Sequence, residues 1–352
     1  MIKVLLVDDS PVAVTMLKRM LSLSTDIKVV GAAGNGREAL TLIPQVNPDV
    51  ICTDLHMPVM DGLDLTREVM SRCPLPMLLV SISGREDSLS AFKVLDAGAV
   101  DIFPKPMADS PLDHERSARE LIRKIRILSG VHVFRRSRPD SDSGGGMLEL
   151  KELDPKFQMP TSRINILVIG ASTGGPQALH VILSQMPRNF PLPVVCIQHI
   201  AEGFLGGLVT WLSTQCQAKV RIAASGEAPM PGVVYFPQEG SHLRIGGDGR
   251  FIHSTEPPFD GHRPSITITM ESLVRYYGNG VLSVLLTGMG RDGAMGMRAV
   301  AQAGGVTIAQ DEASSVVFGM PKQAIELNAA RYVLPLENIG RFIVSLANDQ
   351  PR

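Results

Sequence analysis

Apolar and polar positions along the first 128 residues alternate between two rhythms. Short runs of strand length stand at Val4–Val7, Val29–Ala32, Val50–Thr53, Met77–Val80 and Ala99–Phe103. Between them, Val12–Leu21, Arg37–Ile43, Leu63–Ser71, Ser88–Leu95 and His114–Leu128 carry the helical period. Five strands alternating with five helices predict a parallel sheet covered on both faces, because parallel strands need crossovers. The stretch from Ser129 to Ser162 breaks the rhythm with Arg135-Arg136-Ser137-Arg138-Pro139, Gly144-Gly145-Gly146, Pro155 and Pro160. Such a composition buries too little apolar surface to repay ordering, so it reads as a flexible linker. A second α/β pattern then begins. It has strands at Ile164–Ile169, Val194–Gln198 and Val281–Thr287, and helices at Gly175–Ser184 and Leu205–Thr214. Extended runs between Val220 and His253, among them Gly232–Phe236 and Leu243–Ile245, read as antiparallel excursions from that sheet. The expected domains are residues 1–128 and 163–347, joined by the linker 129–162.

Composition narrows the class. The 352 residues suit two domains, and 44% hydrophobic with 20% charged residues describes a globular chain. A net charge of −1 gives no global reason to expect nucleic acid as a partner. No apolar run approaches the roughly 20 residues of a membrane span, so no direct membrane insertion is expected. The start, Met1-Ile-Lys-Val-Leu-Leu-Val-Asp8-Asp9, lacks a signal peptide's longer apolar core, which points to the cytoplasm. Cys52, Cys73, Cys196 and Cys216 form no Cys-x-x-Cys pair, so neither a zinc site nor a disulfide framework is expected.

Candidate chemistry sits at strand ends. Asp8 and Asp9 follow the first strand and Asp54 the third, on the edge of a parallel sheet where ligands bind. Three carboxylates meeting there repel one another unless a divalent cation stands among them, and an all-oxygen set suits Mg²⁺. Ser81 after the fourth strand and Lys105 after the fifth add a hydroxyl and a cation to that edge. Such a site can bind a phosphoryl group, with a carboxylate as its acceptor.

In the second domain, the strand ending at Ile169 runs into Gly170-Ala-Ser172-Thr-Gly174-Gly175-Pro176. The spacing is not that of a dinucleotide fingerprint, and Pro176 stands where a P-loop needs Lys. What fits is Gly-x-Ser-x-Gly, a nucleophile elbow between strand and helix, although a serine at a helix start is also a common N-cap. His199, directly after Val194–Gln198, is the favoured base by position, with His242 and His262 open. Asp292, in Thr287-Gly-Met-Gly290-Arg-Asp292-Gly293, is the candidate acid, or a cap for the helix near Ala294. The order Ser, His, Asp differs from that of the α/β-hydrolases, so the same chemistry would stand on another fold.

Residues 1–128 resemble a response-regulator receiver domain in Asp8-Asp9, Asp54-Leu-His-Met-Pro58, Asp61-Gly62, Ser81 and Lys105-Pro106. The resemblance implies a flavodoxin-like (βα)5 fold, phosphorylation of Asp54 by a chemotaxis histidine kinase, and Mg²⁺ arranged by Asp8, Asp9 and Asp54. It also implies a phosphoryl grip by Ser81 and Lys105 and a cis Lys105–Pro106 bond. Ile102 stands where many relatives carry an aromatic switch residue. Residues 164–346 resemble the catalytic domain of the chemotaxis protein-glutamate methylesterases, the CheB family. The matching strings are Gly170–Gly175, Gln198-His199, His262-Arg-Pro-Ser265, Leu286–Gly293, Gln310–Ser314 and Val317–Pro321. That resemblance implies a Rossmann-like, mostly parallel α/β domain with an antiparallel excursion. It makes Ser172 the nucleophile, His199 the general base, Asp292 its orienting acid and the Met289 backbone N–H an oxyanion donor. Thr267 replaces an acid often found after the His-Arg-Pro-Ser string. The implied activity is hydrolysis of glutamate methyl esters on chemoreceptors, with deamidation of receptor glutamines, by a monomer needing no cofactor for the hydrolysis. The rival reading is a non-enzymatic response regulator whose second domain is a binding output.

Overall fold

Val4, Leu5 and Leu6 are fully buried because β1 (Ile2–Val7) is an interior strand of a sheet with helices on both faces. The computed structural model describes residues 1–82, 85–106, 111–131 and 163–349, and the chain divides into two units. In the first, β1 is followed by α1 (Pro11–Leu21), β2 (Ile27–Ala33), α2 (Gly36–Val46), β3 (Val50–Thr53) and α3 (Gly62–Arg72). Then come β4 (Met77–Ser81), α4 (Arg85–Ala97), β5 (Asp101–Pro104) and α5 (Pro111–Leu128). The strands are parallel in the order β2-β1-β3-β4-β5, the flavodoxin-like arrangement, whose topological switch lies between β1 and β3. Asp8 and Asp54 follow those two strands. All ten expected elements form. Most boundaries shift by one to three residues; at β5, Ala99 and Val100 stand outside the strand, since the Ala99 amide donates back to Val94 O near the end of α4.

The second unit holds β6 (Ile166–Ala171), α6 (Gly175–Ser184), β7 (Val194–Gln198), α7 (Leu205–Gln215), β8 (Lys219–Ile222) and β9 (Val233–Phe236). The hairpin strands β10 (His242–Ile245) and β11 (Phe251–Ser254) precede α8 (Ile266–Tyr277). After β12 (Val281–Leu285) come α9 (Ala294–Gln302), β13 (Val306–Gln310), α10 (Met320–Glu326), β14 (Tyr332–Leu334) and α11 (Leu336–Asn348). Seven parallel strands are ordered β14-β13-β12-β6-β7-β9-β8. The order reverses at β6: β7 lies on one side and β12 on the other, so the crevice between β6 and β12 is the switch point.

The excursion is smaller than the sequence pattern predicts. Val233–Phe236 pairs parallel with both β7 and β8 and belongs to the main sheet; only β10 and β11 form an antiparallel pair. Residues 223–232 are long enough to return the chain to the starting edge without a helix, and neither composition nor alternation encodes strand direction. Cys52 and Cys196 are buried free thiols, and burial pushes the Cys52 thiol up to about 12. Residues 132–162, which carry nearly all of the expected linker, lie outside the described residues. Among the described residues no helix is long and apolar enough to cross a membrane.

Candidate active site and phosphoryl-acceptor site

The first unit gathers its acids at the switch point. Oxygens of Asp8, Asp9 and Asp54 lie within 4.8 Å of one another. Lys105 Nζ stands 2.7 Å from Asp54 Oδ2 and 2.9 Å from Asp8 Oδ2. Only the Asp54 contact has hydrogen-bond geometry, so Asp8 Oδ2 is buried at ion-pair distance without a hydrogen bond. Burial pushes the Asp54 carboxyl above its ordinary value, and the neighbouring Asp8 adds to this, although Lys105 pulls the other way. A buried carboxylate oxygen without a donor, within reach of two further carboxylates, fits a hard divalent cation such as Mg²⁺. Ser81 is buried at the end of β4, and its carbonyl accepts from Lys105 N–H at 2.8 Å. The expected isomer does not occur at Lys105–Pro106; the cis X–Pro bond among the described residues is Arg263–Pro264. The two isomers of an X–Pro bond differ by only about 1 kcal/mol, so local surroundings decide.

The Asp61-Gly62 pair has a local reason. Asp61 Oδ1 caps α3 by accepting from Asp64 N–H at 2.8 Å. A Cβ on Gly62 would sit 2.1 Å from the Asp54 carbonyl oxygen. Gly62→Ala therefore has to move the backbone under the acceptor, and should destabilise the first unit by about 1–3 kcal/mol. Chemical denaturation of the variant beside wild type measures this, and an unchanged midpoint contradicts the close approach.

In the second unit, Ser172 follows β6 and His199 follows the adjacent β7, whose registers pair Ala171 with Gln198. His199 N–H donates to Ala171 O at 3.0 Å. Ser172 is no N-cap: the cap of α6 is Gly174, at φ 75°, where an L side chain would be strained. The backbone of Ser172 is held from three sides. Its N–H donates to Thr287 O at 3.1 Å, and its carbonyl accepts from Gly175 N–H at 2.8 Å and from Gln198 Nε2 at 2.7 Å. The same Gln198 nitrogen donates to His199 O at 2.8 Å, so one amide clamps both residues.

Asp292 stands on the β12 side of the crevice, buried, with Oδ2 3.0 Å from His199 Nε2. It does not cap α9, whose N-cap is Gly293 without a side-chain bond. Instead its carboxylate faces the N-terminus of α8. Ile266 N–H donates to Oδ2 at 2.8 Å; Thr267 N–H, Ser265 Oγ and Gly293 N–H donate to Oδ1 at 3.0, 2.9 and 2.9 Å. Burial alone would raise this carboxyl, but His199 and these donors outweigh it and hold the group well below the usual carboxylate range. Asp292 is thus a fixed anion.

That pairing assigns the ring. His199 Nε2 carries the hydrogen toward Asp292, and Nδ1, buried without a hydrogen-bond partner, keeps the basic lone pair. The better-known serine triads use the two nitrogens the other way round. His242 begins β10, and both its nitrogens are engaged: Ser265 N–H donates to Nδ1 and Nε2 faces Pro257 O. Met289 lies in the turn after β12, where the preceding Gly288 N–H is spent on Val317 O at 3.0 Å.

Several positions escaped the sequence reading as supports: Gln198, Thr287, Ser265, Thr267 and His262. Only Ser265 had a usable signal, a serine just before an apolar helical run. Thr267, which departs from an acid often found after the His-Arg-Pro-Ser string, holds Gly293 N–H through its hydroxyl at 2.8 Å and Asp292 through its own N–H.

Comparison with known proteins identifies the families of the two units. Residues 167–343 match the family profile of the CheB methylesterase, and residues 4–115 that of the response regulator receiver domain. A protein-glutamate methylesterase/protein-glutamine glutaminase of Methanospirillum hungatei is 41% identical over 99% of both chains, and one of Syntrophus aciditrophicus 40% identical over 99% of both. The crystal structure of the Thermotoga maritima CheB methylesterase catalytic domain superposes with a TM-score of 0.51 at 37% identity, covering 53% of this chain and all of that one.

Proposed function

Because the chain belongs to the CheB methylesterase family, we propose that it hydrolyses glutamate methyl esters on chemoreceptors and deamidates receptor glutamines, under the control of phosphorylation at Asp54. The observation that carries the reading is the His199–Asp292 pair, at 3.0 Å, on the crevice edge that bears the Ser172 elbow.

Ser172 Oγ attacks the ester carbonyl while His199 Nδ1 takes its proton. Asp292, held anionic, stabilises the imidazolium that results. The Nδ1 proton then passes to the departing methoxide, methanol leaves, and water repeats the sequence on the acyl-enzyme. With a glutamine substrate the leaving group is ammonia. The Met289 N–H serves the developing oxyanion.

In the receiver, Asp54 is the phosphoryl acceptor. Asp8, Asp9 and Asp54 would hold Mg²⁺, which when bound neutralises phosphoryl oxygens. Lys105 exchanges its ion pair with Asp54 for one with the phosphoryl group, and Ser81 completes the grip. The partners are a chemotaxis histidine kinase and the cytoplasmic parts of chemoreceptors, which places the enzyme in the cytoplasm.

The test is methanol release from receptor membranes carrying labelled methyl groups, with and without a small phosphodonor. Release that rises with the donor is expected. No release under either condition rejects the esterase, and equal release rejects control by Asp54.

A further inference from the structure

We propose that His262 is a positioning residue for the esterase, its ring lying flat on His199 and fixing the plane in which Nδ1 meets Ser172; the proposal rests on the esterase reading above. The ring of His199 makes one hydrogen bond, through Nε2 to Asp292, and its Nδ1 makes none. The Cβ–Cγ bond and this one hydrogen bond anchor two points of the imidazole and leave the ring free to rotate about the line between them. A second, non-collinear restraint is needed to aim the other nitrogen.

The His262 ring supplies it. The two centroids are 3.8 Å apart and the planes differ by 2°. Ring nitrogens lie in the plane, so parallel rings one above the other offer each other faces rather than hydrogen bonds. The contact is one of surface, and a phenyl ring can reproduce it where a methyl group cannot.

His262 is itself pinned by a small frame. Phe259 N–H donates to His262 O at 3.1 Å and His262 N–H to Phe259 O at 2.9 Å, which closes a two-residue turn. Its central residues Asp260 and Gly261 have φ of 49° and 80°, the paired positive values of a tight hairpin turn. Arg291 grips Asp260 with both arms of its fork, Nε to Oδ2 at 3.2 Å and Nη2 to Oδ1 at 2.9 Å. Arg291 directly precedes Asp292. The segment that holds one side of His199 through the acid therefore also anchors the turn that covers its face.

A fluorophosphonate probe reacts with an activated serine whatever ester the enzyme meets in the cell, so it separates this proposal from the substrate assignment. Full-length wild type, His262→Ala and His262→Phe, each with a small phosphodonor and Mg²⁺ present, are compared by intact mass over graded probe concentrations, with Ser172→Ala as the blank and thermal melts alongside. The maximal labelling rate of His262→Ala should fall by about 10- to 100-fold, the scale of a misaligned catalytic group, with the half-saturating probe concentration little changed. His262→Phe should recover most of that rate. A wild-type rate in His262→Ala overturns the proposal. So does a His262→Phe that folds yet labels no faster than His262→Ala, since a ring nitrogen would then be responsible. If His262→Ala fails to fold, His262→Gln replaces it as the partner of His262→Phe and the same comparison decides. A wild type that does not label overturns this proposal together with the esterase reading. Labelling that follows the stack without methanol release removes only the substrate assignment.

Discussion

Ser172→Ala is expected to reduce methanol release to background while shifting stability by less than about 1 kcal/mol. The fold holds Ser172 by its backbone, through Thr287, Gly175 and Gln198, and alanine keeps all three bonds. His199→Gln should be as inactive, because no base remains at Nδ1. Asp292→Asn should behave differently in two ways. A trace of turnover should survive a drop of about 10⁴-fold in kcat, the scale for losing the orienting carboxylate in a serine triad. The protein should also melt earlier, since the carboxylate accepts from Ile266, Thr267, Ser265 and Gly293 as well as His199, and an amide has one oxygen for these donors. Near-wild-type methanol release from Ser172→Ala would sink the assignment of the nucleophile.

Asp54→Asn should incorporate no phosphate from a small phosphodonor, and EDTA should stop incorporation into the wild type. The cause is electrostatic. Three carboxylates with oxygens within 4.8 Å present a repulsive field to a phosphoryl group, and Lys105 supplies only one positive charge against it. Asp8→Asn should raise the Mg²⁺ concentration needed for half-maximal incorporation as well as lower the rate, since it removes a carboxylate charge from the set that would hold the cation. Incorporation that persists in EDTA contradicts the site as drawn.

What was legible in the chain was whatever lies next to its own cause. Asp8, Asp54, Ser172 and His199 each follow a buried strand whose apolar run is visible in the sequence, and a parallel sheet brings all such ends to one edge. The hidden features depend on segments far apart. The direction of β9 is set by where its connection returns, and β-branched residues read the same either way. Asp292 looked like a possible cap for the helix beside it, yet it serves the N-terminus of α8, a helix that begins 26 residues earlier. His262 reaches His199 only because Asp260 and Gly261 turn the chain back under the grip of Arg291. Which imidazole nitrogen faces the acid has no sequence signature at all.

The strand order has a consequence for the chain while it is being made. Ser172 and His199 leave the ribosome well before β12, which must insert beside β6 as its second neighbour and brings Asp292 with it. Until then β6 is a bare sheet edge and the histidine has no anion to orient it. At synthesis rates of roughly 5–20 residues per second, the interval between residues 199 and 292 lasts about 5–20 seconds. Throughout it the nascent polypeptide holds a serine and a histidine but no assembled esterase. Hydrolytic competence is withheld until most of the second unit exists, so a truncated translation product ending before β12 is inert toward the cell's other esters.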